Sequence, residues 1–454
     1  MLPGEGGASS VDPQLSAHSD GVGQADEPQA SGSSPISGQL RGPQRTFAVL
    51  MAAASVLGLV KGVVFAKVLG ADQLGAYGLV LLVSQFGVYL ANWGIMSALS
   101  NQLPIALGRG ELDTDGLVDR SLGALILSCS ITAVVYLAVV LALRPADDDV
   151  LIALLAASIV TVATTVCEFQ FLLLRVHRRI VPLGQMYVLR AVGAIALGVV
   201  AGTAWGFVGV IISELTVLAL VVVASRRAWL GHVRVGRPTR IDLRWLIARG
   251  APLMVANLLI IGTFAIDRVF VAATLPDAFG QYTFASFAVI GWLAITGVLN
   301  QAVAPQLLFE YGQGRSLRRV RLHALRVVAT VALIGVAGLL MLVAAAAWAK
   351  DGVLSDFAPG LDAMLILYVG GLVSVVALPG FLLHALKPAF STAAAVLGAV
   401  VALAGGVVLS ARHPDINDFA WLFVASQATT AVAMLGGVEW VVRRGRIVRH
   451  HMPG

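Results

Sequence analysis

Six ionisable residues lie inside long apolar stretches of this sequence: Lys61, Glu168, Arg190, Glu214, Asp267 and Arg268. A charge at the centre of a membrane span costs about 2.5–3.5 kcal/mol on insertion scales, so each of these should face protein or water rather than lipid. Counting about 1.5 Å per helical residue puts Lys61 and the Asp267-Arg268 pair at a similar depth, toward one end of their spans. That depth suggests a Lys61–Asp267 pair bridging two halves of the chain and acting as a gate. Asp267 and Arg268 cannot pair with each other as helix neighbours, because positions i and i+1 face different ways. Glu168 and Arg190 fall at matching depths on consecutive antiparallel helices. A structural ion pair and a proton-linked or headgroup-binding pair both fit that placement. Glu214 sits near the middle of its span with no partner at its depth; it reads as a protonatable carboxylate or a hydrogen-bonded structural one. Trp93 and Trp292 lie on the second helix of each half, where they could pack apolar neighbours or stack on sugar rings. Lys61, Asp267, Arg268, Trp93 and Trp292 are therefore the candidate cavity residues, and Glu214, Glu168 and Arg190 the candidate coupling or ion-pair residues.

The elements that must hold these groups are membrane helices. The chain is 58% apolar and 12% charged, against about 25% charged in a soluble domain. So much apolar surface in 454 residues requires lipid as the solvent. Twelve stretches have spanning length: 46–65, 78–100, 121–143, 150–174, 183–203, 205–225, 250–272, 283–305, 324–349, 362–384, 389–410 and 418–442. Gly and Pro within them, such as Gly87, Gly94, Gly291 and Pro379, permit close packing and bends that neighbouring helices satisfy. The first two spans are joined by a Gly-rich corner, Lys67 to Gly78.

Charge placement orients the spans. Of the 31 Lys and Arg residues, 24 fall on the side that holds both ends of the chain, four on the other side and three inside spans. By the positive-inside rule both termini are cytoplasmic. The same asymmetry argues against nucleic acid as the partner of the +6 net charge. The basic connector and tail could instead bind anionic headgroups, although topology alone also accounts for them.

The long connector at 226–249 divides the chain into six-helix sets at 41–225 and 250–442, followed by a basic tail at 443–454. A shift of 205 places Asp72 on Asp277, Gly75 on Gly280 and Tyr77 on Tyr282. Six helices repeated in one orientation imply parallel repeats about an axis along the membrane normal, with a cavity between them. Residues 1–40, rich in Gly, Ser, Pro and Gln, cannot bury a core and read as a disordered tail.

Several chemistries are not expected. No Gly-x-x-x-x-Gly-Lys-Ser/Thr motif occurs, so a P-loop is absent. No His, Cys or carboxylate spacing suits a metal. Cys129 and Cys167 read as small core residues. A membrane enzyme would need a large soluble loop with clustered acids, and no outer connector exceeds about fifteen residues. No cofactor and no catalytic residue are expected.

Arg45 ahead of an apolar helix, then Ala66-Lys67-Val68-Leu69-Gly70-Ala71-Asp72-Gln73-Leu74-Gly75-Ala76-Tyr77-Gly78 ahead of the next, resembles the polysaccharide and oligosaccharide (O-antigen-type) flippases. These belong to the multidrug/oligosaccharidyl-lipid/polysaccharide exporter superfamily. The motif covers helices 1 and 2, and the twelve-span plan covers Arg41 to Arg449. The resemblance implies an all-α integral membrane protein of MATE-like fold, with about twelve helices in two six-helix bundles around a central cavity. It further implies a bacterial inner-membrane location and movement of a lipid-diphosphate-linked oligosaccharide, polyprenyl-linked, from the cytoplasmic to the periplasmic leaflet. Implied partners are that substrate, membrane lipids, and polymerase and ligase machinery for cell-surface glycans such as lipopolysaccharide or exopolysaccharide. The family's cavity is lined by helices 1, 2, 7 and 8 and is often cationic, which matches Lys61 and Arg268; Asp267 departs from it, and helices 2 and 8 carry no charge. The alternative function is a cation-coupled multidrug or small-solute exporter of the same superfamily. Scattered rather than clustered acids favour the flippase.

Overall fold

A computed structural model describes residues 42–449, other than 101–113 apart from Leu103, Arg178, His232, 294–316 apart from Thr296, Asp351, Val353, and 381–387 apart from Leu383. The expected tail 1–40 and the last residues of the basic tail lie outside the described residues. The elements are helices α1 (Gly42–Ala91), α2 (Thr114–Leu143), α3 (Asp148–Val176), α4 (Ile180–Ala228), α5 (Arg240–Thr274), α6 (279–293), α7 (Leu317–Lys350), α8 (Ala358–Val375), α9 (Pro388–Ser410) and α10 (Ile416–Arg449). Nine helices among the described residues are long and apolar enough to cross a membrane. Two of them, α1 and α4, are broken once inside and each carry two spans. With α6, which opens the expected span 283–305, this is an all-α membrane protein of two six-helix sets.

The connector expected over Lys67–Gly78 is far shorter than that. Only Gly70 leaves helical geometry, at φ 71° and ψ 179°, a region essentially reserved for glycine. The helix then folds back on itself. Phe65 and Tyr77 meet edge to face with ring centroids 5.6 Å apart, whereas a straight helix would separate positions twelve apart by about 18 Å. Trp205 and Gly206 make the second such corner, with Gly206 at φ 60°. The two corners sit together, since Gln73 Oε1 accepts the Phe207 N–H at 3.1 Å. In the second half the matching corner uses Pro276, which lacks an N–H, and a short 3-10 turn over Pro276–Ala278.

Two expected spans are interrupted. Helix α1 stops at Ala91, and a turn through Trp93 (φ 46°) and Gly94 (φ 81°) precedes a further helix at 95–100. Asn92 holds this turn by accepting the Gly94 N–H at 2.8 Å. Helix α8 ends at Val375 ahead of a 3-10 turn over Leu378–Gly380, as Pro379 dictates. The expected linker 226–249 is part helix: α5 starts at Arg240, where Thr239 and Asp242 form a capping box.

The helices of each half pack mainly among themselves, α1 against α3 and α4, and α10 against α8 and α9, while α1 also crosses to α5. Buried side chains follow a revealing pattern. One core runs through both halves at the end marked by the Gly70 and Gly206 corners, joining Phe65, Tyr77 and Leu74 to Tyr282, Phe284 and Phe419. At the opposite end the described residues form two further cores. One, around Leu99, Phe171 and Leu246, gathers on the first half; the other, around Val320, Leu383 and Val438, belongs to the second.

Candidate functional site

Helix α1 turns back at Gly70, so Lys61 on its first arm faces Tyr77 on its second. The Lys61 ammonium lies 5.2 Å from the Phe65 ring centre and 5.6 Å from that of Tyr77. Both rings offer it a cation–π surface. Its anionic partner is Glu214, from the second arm of α4. Glu214 also accepts the Tyr77 hydroxyl at 3.0 Å. The Lys61–Asp267 pair expected from depth is therefore not the arrangement found, and Glu214 has partners that depth failed to supply. The reason is that depth gives height along the membrane but not the direction a side chain takes around its helix.

Lys61, Tyr77, Ser84, Gln85, Arg190 and Glu214 line a cavity of about 180 Å³. Every one of these residues lies in the first half of the chain. This polar cavity therefore lies inside the first helix set. Arg190 reaches it from the first arm of α4 and also donates to Glu168 at 3.3 Å.

The second half repeats the arrangement with one part missing. Tyr282, the residue 205 positions after Tyr77, donates its hydroxyl to Asp267 Oδ2 at 2.6 Å. Asp267 is 3% exposed, and its Oδ1 has no hydrogen-bond partner among the described residues. Arg268 turns away from it. Its Nη2 donates to Gln85 Oε1 at 2.9 Å and to the Phe264 carbonyl at 3.1 Å. Since Gln85 also lines the cavity, this bond brings a charge of the second half to the rim of the first-half site.

The two tryptophans lie elsewhere. Trp93 is held in the left-handed turn by a bond from its Nε1 to Thr132 Oγ1 at 3.1 Å. Trp292 is buried in the second half, donates to the Gly371 carbonyl at 3.1 Å and packs on Tyr368 with ring centres 5.7 Å apart. Neither lines the cavity of Lys61 and Glu214. Tyr77, Tyr282, Ser84 and Gln85 were missed as site residues, although the 205-residue shift had already paired the two tyrosines.

The three cations Lys61, Arg190 and Arg268 and the three carboxylates Glu168, Glu214 and Asp267 come from α1, α3, α4 and α5. Their formal charges balance. An anionic ligand could bind Lys61 or Arg190 only by drawing it from its carboxylate, an exchange that low-dielectric surroundings make strongly geometry-dependent. Among the described residues no group of three or more His, Cys, Asp or Glu could hold a metal ion.

The family model described as "Polysaccharide biosynthesis protein" matches residues 44–311. No curated protein matches the sequence. Among solved structures, the lipid II flippase MurJ in an inward closed conformation superposes with a TM-score of 0.69 at 14% identity, over 87% of each chain. An inward-facing multidrug resistance MATE family transporter of the MOP superfamily gives 0.67 at 15% identity, over 89% of this chain and 100% of the other. A MOP superfamily transporter from Pyrococcus furiosus, described as having a binding pocket of reverse polarity, gives 0.65 at 13%, over 88% and 96%. At these identities the likeness concerns the fold.

Proposed function

The chain belongs to the family of polysaccharide biosynthesis proteins, and from that premise we propose that it is a flippase for a lipid-diphosphate-linked oligosaccharide. On this reading it lies in a bacterial inner membrane with both termini in the cytoplasm, and moves its substrate from the cytoplasmic to the periplasmic leaflet for surface glycan assembly. The six-helix units 41–225 and 250–442 would move against each other about the connector 226–249, and polymerase and ligase enzymes would take the product.

The observation that carries the reading is the gathering of Lys61, Arg190 and Arg268 around Gln85 and the first-half cavity. A diphosphate with its sugars is too polar for hydrocarbon, where an isolated ion costs tens of kcal/mol by the Born estimate before relaxation. Cations that can trade a carboxylate for a phosphate lower that cost, while Ser84, Gln85 and Tyr77 offer hydroxyl and amide groups suited to sugar. The lipid tail need never leave the bilayer. Outward movement of negative charge also gains roughly 2.3 kcal/mol per charge per 100 mV, inside negative. A cavity of about 180 Å³ is too small for a whole repeat unit, so loading requires it to widen at the rim where Arg268 of the second half holds Gln85.

One observation favours a second reading, a cation-coupled multidrug or small-solute exporter. Each half buries a carboxylate under a tyrosine hydroxyl, Glu214 under Tyr77 and Asp267 under Tyr282. Deleting the gene separates the two. A flippase leaves lipid-linked repeat units on the cytoplasmic face and removes surface glycan. Unchanged glycan with altered drug sensitivity would overturn the flippase in favour of the exporter.

A further inference from the structure

The connector between the halves is a built surface. It leaves α4 at Ala228, crosses the start of α2 and enters α5 at Arg240. Asp119 of α2 pins it twice: its Oδ1 accepts the Arg234 N–H at 2.7 Å, and its carbonyl accepts the Gly236 N–H at 2.9 Å. Gly236 is a close approach, since a Cβ there would come within 2.8 Å of the Asp119–Arg120 backbone. Leu230, Val233 and Leu246 are buried against the first half. With one side of the connector fixed in this way, Arg227, Arg234, Arg237, Arg240 and Arg244 are left exposed on the other.

Nearby acids among the described residues are already engaged. Asp242 caps α5 and pairs with Arg120 at 3.4 Å. Arg226 donates to the Val233 carbonyl and Arg249 lies over Trp245. The five exposed arginines have no side-chain partner among the described residues. At the same end of the second half, by contrast, Arg321 and Arg443 share Glu439. Two large aliphatic side chains stand between the free arginines, Val235 at 58% and Ile241 at 80% exposed. The sign of the charge follows from orientation alone. Exposed arginines on a pinned backbone, alternating with bare aliphatic side chains at the level where two spans end, do not.

We propose that residues 227–244 form a binding strap for anionic glycerophospholipid headgroups. The arginines engage the lipid phosphates, and Val235 and Ile241 enter the boundary between headgroups and acyl chains. Juxtamembrane basic residues are attracted to anionic leaflets, and guanidinium matches phosphate geometry bidentately.

The test uses the full chain in nanodiscs, which expose both leaflets to the same lipid mixture. Val235→Cys is labelled with a fluorophore, in a background where Cys129 and Cys167 are buried. Brominated phosphatidylglycerol should quench this label at least threefold more than brominated phosphatidylcholine at equal mole fraction. The preference should vanish in the Arg234→Gln, Arg237→Gln, Arg240→Gln, Arg244→Gln variant, and persist when Arg318 and Arg319 are changed instead. Equal quenching by the two lipids, or a preference unaffected by the four substitutions, overturns the proposal. Circular dichroism and gel filtration of the variants show that each is folded before it is scored.

Discussion

Gly75 and Gly280 lie back to back where the two halves meet, 205 positions apart in the chain and equivalent in the repeat. A Cβ on Gly75 would stand 3.3 Å from the Gly280 nitrogen, whereas one on Gly280 would fall 1.8 Å from the Ala71 carbonyl oxygen. The first is a tight contact that small shifts relieve; the second cannot exist without moving backbone.

These distances predict unequal effects from equal substitutions. Gly280→Ala should destabilise the protein by about 1–3 kcal/mol, the usual range for overpacking, seen as a lower melting temperature in detergent. Gly75→Ala should cost less than half as much. Equal melting temperatures for the two variants would contradict the packing described.

Lys61 and Glu214 should behave as a unit. Removing one partner of a buried pair strands the other charge and costs about 3–5 kcal/mol; the pair here is partly exposed, at 18% and 9%, which favours the lower end. Lys61→Ala should lower the melting temperature more than Lys61→Ala with Glu214→Gln. If Lys61 also binds substrate, glycan export should fall about tenfold or more in both, with the double variant restored in stability but not in export. Normal export in the stable double variant would remove Lys61 from the site.

Arg268 and Gln85 join the halves through a charge-assisted hydrogen bond, a class worth about 1.5–3 kcal/mol. Arg268→Ala and Gln85→Ala should therefore be non-additive in a double-mutant cycle of thermal stability, and Arg268→Ala alone should reduce export. Strict additivity would mean that the 2.9 Å contact carries no energy.

The tyrosines offer a comparison within one molecule. Tyr77→Phe leaves Glu214 its lysine, while Tyr282→Phe leaves Asp267 without any hydrogen bond from a side chain among the described residues. An unsatisfied buried polar group costs about 1–3 kcal/mol. Tyr282→Phe should be the more destabilising change, and Asp267→Asn should leave it less so. The reverse order of the two phenylalanine variants would refute the asymmetry.

Much of this architecture was legible in the residues. Apolar runs gave the number of crossings, and the 205-residue shift matched Gly75 to Gly280 and Tyr77 to Tyr282 before any contact was known. The site was less legible, for a geometric reason. Lys61 and Glu214 stand 153 positions apart on helices whose adjacency depends on two corners, and the first of them was read as longer than it is. One glycine at Gly70 returns the chain within a single residue, which sets the arms of α1 close enough to form a wall. Hydropathy cannot resolve such a corner, because the residues on either side remain helical and apolar. Trp93 and Trp292 show the converse: their types suggested stacking on sugar, but indole N–H groups in apolar surroundings need acceptors, and Thr132 and Gly371 supply them.

The meeting of Gly75 with Gly280 also bears on how readily the protein could change shape. Small residues let two backbones touch without interlocking side chains, and pulling them apart strands no ion. Around this bare point the seam is filled by side chains of both halves, Tyr77 and Tyr282 among them, so a bulkier residue at either glycine would act as a wedge that loosens its neighbours as well.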